Sequence, residues 1–201
     1  MKETIKKYLR KFNGLREIHE ENQSILYEQR RFQLIEHILH DSELGVTNQR
    51  YTDHDIIVSL TTYGKRLNDV AFTIESIMQQ TMKPNRIILW LEDGLKEQHL
   101  PEALKNQMSR GLEIDYCKDI RSYKKLIPTL KLYPEAAIIT IDDDALYEYD
   151  LLEHLISAYI NQPQYIHASR VHRIRIEKNV VQSYQKWNQR IEAVGTFAIF
   201  R

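Results

Sequence analysis

An α/β domain, with a mostly parallel sheet flanked by helices and a helical extension in front of it, is the fold class this sequence predicts. Three observations predict it. Short apolar runs at 56–60, 86–91 and 137–141 have the length and composition of strands buried on both faces, and 112–116 reads as a further, shorter strand between the last two. Between them lie segments with helical spacing, so strand and helix alternate over about a hundred residues, the signature of a parallel sheet covered by helices. Polar and charged residues collect in the loops that follow the strands, and that carboxyl edge is where open α/β sheets bind ligands.

The elements follow in chain order. From 1 to 16 the basic residues Lys2, Lys6, Lys7, Arg10, Lys11 and Arg16 face one acid, Glu3, and Ile5, Tyr8, Leu9 and Phe12 fall on one helix face. Two readings stay open: a basic helix lying on an anionic membrane surface, and a helix docked on its own domain with its basic side solvated. Asn13 and Gly14 are expected to interrupt it. A second helix over 15–40 follows, in which Leu15, Ile18, Ile25, Phe32 and Leu39 keep close to a seven-residue repeat while Asn22, Gln29 and Glu36 fill the alternate seam positions. This weak coiled-coil pattern predicts packing on the domain or, in a second reading, on another copy of the chain as a homo-oligomer. His19, His37 and His40 have no partner pattern and read as surface histidines.

Residues 42–55, polar and carrying Gly45 and Asn48, read as a linker. The first strand, 56–60, leads into a loop over 61–66 and a helix over 67–80 through Val70, Ile74, Ile77 and Met78. Pro84 and Asn85 turn the chain into the second strand, 86–91, which ends at Glu92, Asp93 and Gly94. Pro101 is placed to start a short helix through Leu104 and Met108, and Gly111 to stop it. The third strand, 112–116, precedes a helix over 121–133 in which Pro128 either makes a kink or marks the true start. The fourth strand, 137–141, precedes a helix over 147–160. Beyond it, 165–176 alternates as a strand would, Asn179 is a candidate hairpin turn and 180–184 the return. Trp187 reads as a core plug or a pocket wall, and 194–200 as another buried strand.

Composition bounds the function. In 201 residues the chain can bury a core, and a helical extension over 1–50 with one domain over 51–201 is the expected organisation. Lys and Arg number 28 and Asp and Glu 28, so there is no net basic charge of the kind nucleic-acid binding needs, and no nucleic-acid partner is expected. Cys117, the single cysteine, excludes an internal disulfide framework and suits a reducing compartment. Charges interrupt 1–15, which is no secretory signal, and no apolar run approaches the ~20 residues of a membrane span. A cytoplasmic protein is expected, at most peripheral on the inner face of a membrane.

The chemistry gathers after the strands. Asp142, Asp143 and Asp144 follow the fourth strand directly. Three adjacent carboxylates repel one another, which a cation among them would relieve, and Asp142 and Asp144 are the natural pair to approach a hard divalent metal. A solvated acidic turn is the competing reading. Thr61, Thr62, Lys65 and Arg66 follow the first strand, Glu92 and Asp93 the second, and Asp119, Arg121, Ser122, Lys124 and Lys125 the third. Acids and cations at one sheet edge suit a metal-bridged diphosphate, the metal joining carboxylate to phosphate while Arg and Lys take the remaining charge. Other chemistries lack their signatures. There is no glycine-rich phosphate loop, no Cys/His cluster with zinc spacing, and no elbow glycines around Ser59 or Ser122. His167 and His172 read as structural. An aspartyl phosphatase also places Asp-x-Asp after a strand, but here the motif comes fourth, leaving too little chain downstream for the rest of such a site.

Taken together, these blocks carry a family resemblance. Residues 57–66, containing Thr61, Thr62, Tyr63, Gly64, Lys65 and Arg66, then Thr73 to Ile77 with Gln80 and Thr81, then Pro84 and 87–91, resemble the opening of bacterial glycosyltransferases of the GT-A fold, family 2-like. Residues 119–128 and the Asp142, Asp143, Asp144 triplet resemble the next blocks of that group, found among capsule and lipopolysaccharide biosynthesis enzymes. The resemblance covers roughly residues 55–200. It implies a nucleoside diphosphate sugar as donor, with Asp142 and Asp144 at the ribose and at a Mn²⁺ or Mg²⁺ that clamps the diphosphate. It implies that the loops carrying Thr61, Thr62, Tyr63, Arg66 and Glu92 hold base and ribose, that Arg121, Lys124 and Lys125 approach base or phosphates, and that Asp119 and Asp143 belong to the same binding set. The implied reaction is sugar transfer to a glycan or lipid-linked acceptor of a surface polysaccharide. Two departures stand out. Gly64 stands where proline is common, and after Gly195, Thr196, Phe197 and Ala198 the chain ends at Arg201, where the family continues into an acceptor half with the catalytic base. No catalytic residue is therefore assigned, and Glu148, Asp150 and Glu192 are weak stand-ins. A truncated, non-catalytic nucleotide-sugar-binding remnant or assembly partner is the alternative.

Overall fold

The computed structural model describes residues 2–95, 100–169, 174–187 and 199–200. The domain is built on a sheet whose strands are β1 (Ile56–Thr61), β2 (Arg86–Glu92), β3 (Leu112–Cys117) and β4 (Ala137–Thr140), with β7 (Ile199–Phe200) at the edge; their order across the sheet is β3-β2-β1-β4-β7. The first four strands run parallel, with Val58 opposite both Ile87 and Ile139, and β7 pairs antiparallel to β4. Parallel strands need crossovers that cover the sheet faces, and so β1, β2 and β4 are apolar on both sides, whereas β3, at the edge, carries Glu113 and Asp115.

The alternation of side chains sorts the core. Ile56, Val58 and Leu60 with Ile87, Leu89, Leu91, Ala137 and Ile139 face one layer, containing α2 (Val70–Met78), α3 (Glu102–Ser109) and α5 (Leu151–Asn161). Ile57, Ile88, Trp90 and Ile138 face the other, where α4 (Ile127–Leu132) packs through Leu130. On that second face the Trp90 indole N–H donates to Thr129 Oγ1 at 2.8 Å, and Ser59 Oγ lies 2.9 Å from the same hydroxyl.

The extension differs from its expected form. A single helix, α1 (Lys2–His40), runs through Asn13 and Gly14 without interruption. One glycine costs a helix only about 1 kcal/mol relative to alanine, too little to end one. The side chains that dock α1 on the domain are not the seven-residue series: Leu34 and Ile38 are buried, whereas Ile18, Ile25, Phe32 and Leu39 are exposed. Arg30 donates to the Tyr149 hydroxyl and Arg31 lies over the Phe72 ring, 4.3 Å from its centroid. His37 is not a free surface residue either, since its Nδ1 sits 2.7 Å from Asp41 Oδ2. The side chains of 2–17 lie outside the described residues, and the membrane-surface reading of this stretch with them. Among the described residues no helix is long and apolar enough to cross a membrane.

The 42–55 segment is packed, not slack. Gly45 donates to Arg110 O and Thr47 to Pro84 O, both at 2.9 Å, and a Cβ on Gly45 would fall 2.2 Å from Met78 Cγ. Three helices also begin differently from expectation. Gly64–Asn68 is a 3-10 turn before α2, and Arg121–Lys125 another before α4, whose first turn holds Pro128, so this proline marks a helix start. Tyr147 is not in α5, because its N–H donates to Ser76 Oγ and its hydroxyl is engaged by the Asp142 loop.

Beyond α5, β5 (Ile176–Glu177) and β6 (Val180–Val181) form a short hairpin turned by Lys178 and Asn179, whose φ of 50° and 61° are those of a two-residue hairpin loop. Trp187 belongs to neither core nor cavity. It is half-buried against Tyr184, ring centroids 5.3 Å apart, and donates to Gln182 O. Of the strand expected over 194–200, only β7 is described; His172, Glu192 and 195–198 lie outside the described residues.

Candidate functional site

β1 has β2 on one side and β4 on the other, so the direction of strand progression reverses beside it. The loops leaving β1 and β4 part there and open a crevice. A cavity of about 760 Å³ occupies it. Thr61, Thr62, Tyr63, Gly64 and Arg66 enter from β1, Glu92 from β2, Asp119, Arg121, Ser122, Lys124 and Lys125 from the segment after β3, and Ile141, Asp142, Asp143 and Asp144 from β4. The residues that the resemblance implies for the binding set thus line one cavity, whereas Lys65 and Asp93, also read from the loops after the strands, are not among its lining.

The three acids differ sharply. Asp143 is 8% exposed; its Oδ2 accepts the Thr62 hydroxyl at 2.6 Å and its Oδ1 accepts Arg66 Nη1 at 2.9 Å. Thr73 Oγ1 secures the turn from α2, donating to Asp143 O and Ala145 O at 3.1 and 2.9 Å. Asp142 and Asp144 face solvent, with side chains 71% and 56% exposed; Lys125 Nζ lies 2.6 Å from Asp142 and Arg66 Nη2 lies 3.1 Å from Asp144. The mutual repulsion that suggested a metal is therefore balanced within the chain by Arg66 and Lys125. The hydrogen bond to Asp143 and the charges of Asp143 and Asp144 raise the Arg66 pKa.

The segment after β3 divides its cations. Lys124 is buried and places Nζ 2.8 Å from Asp119 Oδ1, which also accepts the Arg121 N–H at 2.9 Å. These two hydrogen bonds hold the Asp119 carboxyl below its usual range. They also brace Arg121, a non-glycine residue at φ 56°. Lys124 thus shapes the wall, and Arg121 and Lys125 present charge to the cavity.

Tyr147 was not legible in the sequence as a site residue. Asp142 N–H donates to its Oη at 2.9 Å, and the hydroxyl faces Asp142 O at 3.4 Å. Burial pushes the phenol up to about 12, and the three neighbouring aspartates add to the shift. A tyrosine a few residues past an acidic turn carries no pattern of its own; its role comes from the fold. His167 is buried, its Nε2 2.9 Å from Gln162 O, a structural histidine away from the cavity.

Among the described residues no three His, Cys, Asp or Glu side chains converge on one point. Mg²⁺ and similar ions are commonly held by one or two carboxylates, with substrate phosphates and water completing the shell. Asp142 and Asp144 fit that donor set, and an ion held there would displace Lys125 and Arg66 from them. Glu92 is the one cavity carboxylate with no side-chain partner among the described residues.

No protein-family model matches the chain, and no curated protein matches it. The class of protein is given by the structure: an α/β domain with four parallel strands, flanked by helices, with a polar cavity at its carboxyl edge.

Proposed function

We propose that the cavity binds a nucleoside diphosphate sugar and that the protein is a metal-dependent glycosyltransferase of the GT-A type acting on a glycan or lipid-linked acceptor. One observation carries this reading: two solvent-facing carboxylates, Asp142 and Asp144, stand beside the cations Arg66, Lys125 and Arg121 where strand order reverses. A diphosphate needs that mixture, because its oxygens take both a carboxylate-held cation and charged hydrogen-bond donors.

In the proposed complex Asp142 and Asp144 hold Mn²⁺ or Mg²⁺, which would neutralise charge on the departing diphosphate. Arg66 and Lys125 turn from the acids to phosphate oxygens. Glu92 accepts from ribose hydroxyls, and Tyr63, 64% exposed on the cavity rim, offers a ring face to the base. The acceptor oxygen attacks the anomeric carbon, the bond from that carbon to the phosphate oxygen breaks, and the electron pair leaves with the nucleoside diphosphate. The acceptor proton goes to a general base, to which no residue is assigned.

A second reading, a binding module without turnover, draws on the same ion pairs: Asp119, Asp142, Asp143 and Asp144 each already engage a cation. Calorimetry with a panel of nucleoside diphosphate sugars, with Mn²⁺ and with chelator, tests the site; turnover assays separate the two readings. Metal-dependent binding that Asp144→Ala abolishes supports the proposal. Binding indifferent to both chelator and that substitution overturns it.

A further inference from the structure

We propose that α1 carries a dimerisation seam for a second copy of this chain, paired parallel and in register. Ile18, Ile25, Phe32 and Leu39 recur every seven residues and are 57%, 55%, 67% and 58% exposed. Scattered exposed apolar residues are ordinary, but a strict seven-residue period is the pattern by which one helix meets another. The stripe runs about 32 Å along the helix, or three heptads, at 1.5 Å per residue. The domain does not cover it. Residues 21–29 are exposed on every side, so this part of α1 stands clear of the domain. A helix without tertiary packing is marginal in water, and a partner along the stripe would supply that packing.

The docked face leaves the seam open. With Ile18 in the d position of a heptad, Leu34 and Ile38 fall at f and c, the outer positions of a coiled coil. The helix therefore holds its own domain on one side and presents the seam on the other, and two domains joined through it would lie on opposite outer flanks.

The seam identifies its partner. Its a positions are Asn22, Gln29 and Glu36. Parallel, in-register pairing sets apolar d residues against their equivalents, and Asn22 and Gln29 against amides that can donate and accept in return. Antiparallel pairing would bury each amide against an aliphatic or aromatic side chain with no partner. The flanks agree. In the parallel pair Glu21 meets Leu26 of the second copy, Glu28 meets Gln33 and Ile35 meets His40, without like charges. An antiparallel pair sets glutamates of the Glu21 and Glu28 edge along the same edge of the other helix. Glu36 facing Glu36 is the one like-charge layer, and His40 Nε2 lies 3.7 Å from Glu36 on the same helix.

Sedimentation equilibrium of the full chain from about 1 to about 100 µM tests this, because assembly follows mass action. The expected result is a rise to twice the monomer mass, lost in Ile25→Lys and Phe32→Lys with melting of the domain unchanged, and at least a several-fold tighter association in Glu36→Gln. In a Cys117→Ser background, Gln29→Cys should cross-link to a covalent dimer on oxidation. A chain monomeric throughout overturns the proposal. So does a dimer indifferent to both lysine substitutions, and a dimer that Gln29→Cys cannot cross-link overturns the in-register arrangement. Anionic vesicles form the last arm: a monomer that binds them, and stops binding in Phe32→Lys, would assign the stripe to a lipid surface instead.

Discussion

Arg110 and Glu75 meet inside the domain as a two-pronged pair, Nη1 to Oε2 and Nη2 to Oε1, both at 2.9 Å. Their side chains are 3% and 0% exposed. Gln107 and Gln79 donate to the same carboxylate at 3.0 and 2.9 Å, and Arg110 Nε reaches Glu43 O at 2.8 Å. The pair thus ties α2 and α3 to the segment that leaves α1. Burying two charges is costly, and these hydrogen bonds, together with the mutual attraction, offset that cost only while both partners are present.

Removing one partner should therefore be severe. Glu75→Gln or Arg110→Met is expected to lose about 3–5 kcal/mol in urea unfolding, with the double variant losing much less than the sum of the two. Additive losses would mean that the two side chains act independently.

Thr62→Val removes a hydroxyl that donates to the buried Asp143 carboxylate and keeps the shape of the side chain. A hydrogen bond to a charged group of this kind is worth about 1.5–3 kcal/mol, so urea unfolding should show a loss in that range. Nucleotide affinity should fall as well, because Arg66 is then left as the main anchor of Asp143.

The acids should separate by readout. Asp142→Asn is expected to leave the melting temperature nearly unchanged and to weaken metal-dependent nucleotide binding at least tenfold. Asp143→Asn should lower the melting temperature, because it sits in the buried network with Thr62 and Arg66. Equal melting temperatures for the two variants would contradict the burial difference.

Tyr147 predicts an alkaline limb. Its folded pKa is raised from 10.0 to about 12, so the neutral phenol contributes stability fully present below pH 10 and lost as pH rises through about 12. The contribution is on the order of 2 kcal/mol. Thermal melts from pH 8 to pH 12 should show wild type losing stability more steeply than Tyr147→Phe above pH 10. Parallel curves would remove the tyrosine from that limb.

β1, β2 and β4 could be read because burial on both faces demands apolar runs, and β3, which carries Glu113 and Asp115, from its place in the alternation of strand and helix; all four lie within a residue of where 56–60, 86–91, 112–116 and 137–141 place them. Helix starts were less legible. Tyr147 has helical spacing with the residues that follow, but its N–H and hydroxyl are bound by Ser76 and the Asp142 turn, and α5 begins later. The docked face of α1 was not legible for a similar reason. The more regular apolar stripe is exposed, and the side chains that the domain buries are Leu34 and Ile38.

The sequence by itself determined which residues gather at the site, because in a parallel sheet the loops after successive strands must emerge at the same edge. Only the tertiary structure decided how they divide the work. Asp142, Asp143 and Asp144 are identical as letters. Thr62 and Arg66 arrive from β1, 81 and 77 residues away in the chain, and turn the middle acid inward as an anchor while its neighbours face the cavity. That choice depends on which strand lies beside which, a long-range fact that no local pattern of residues contains.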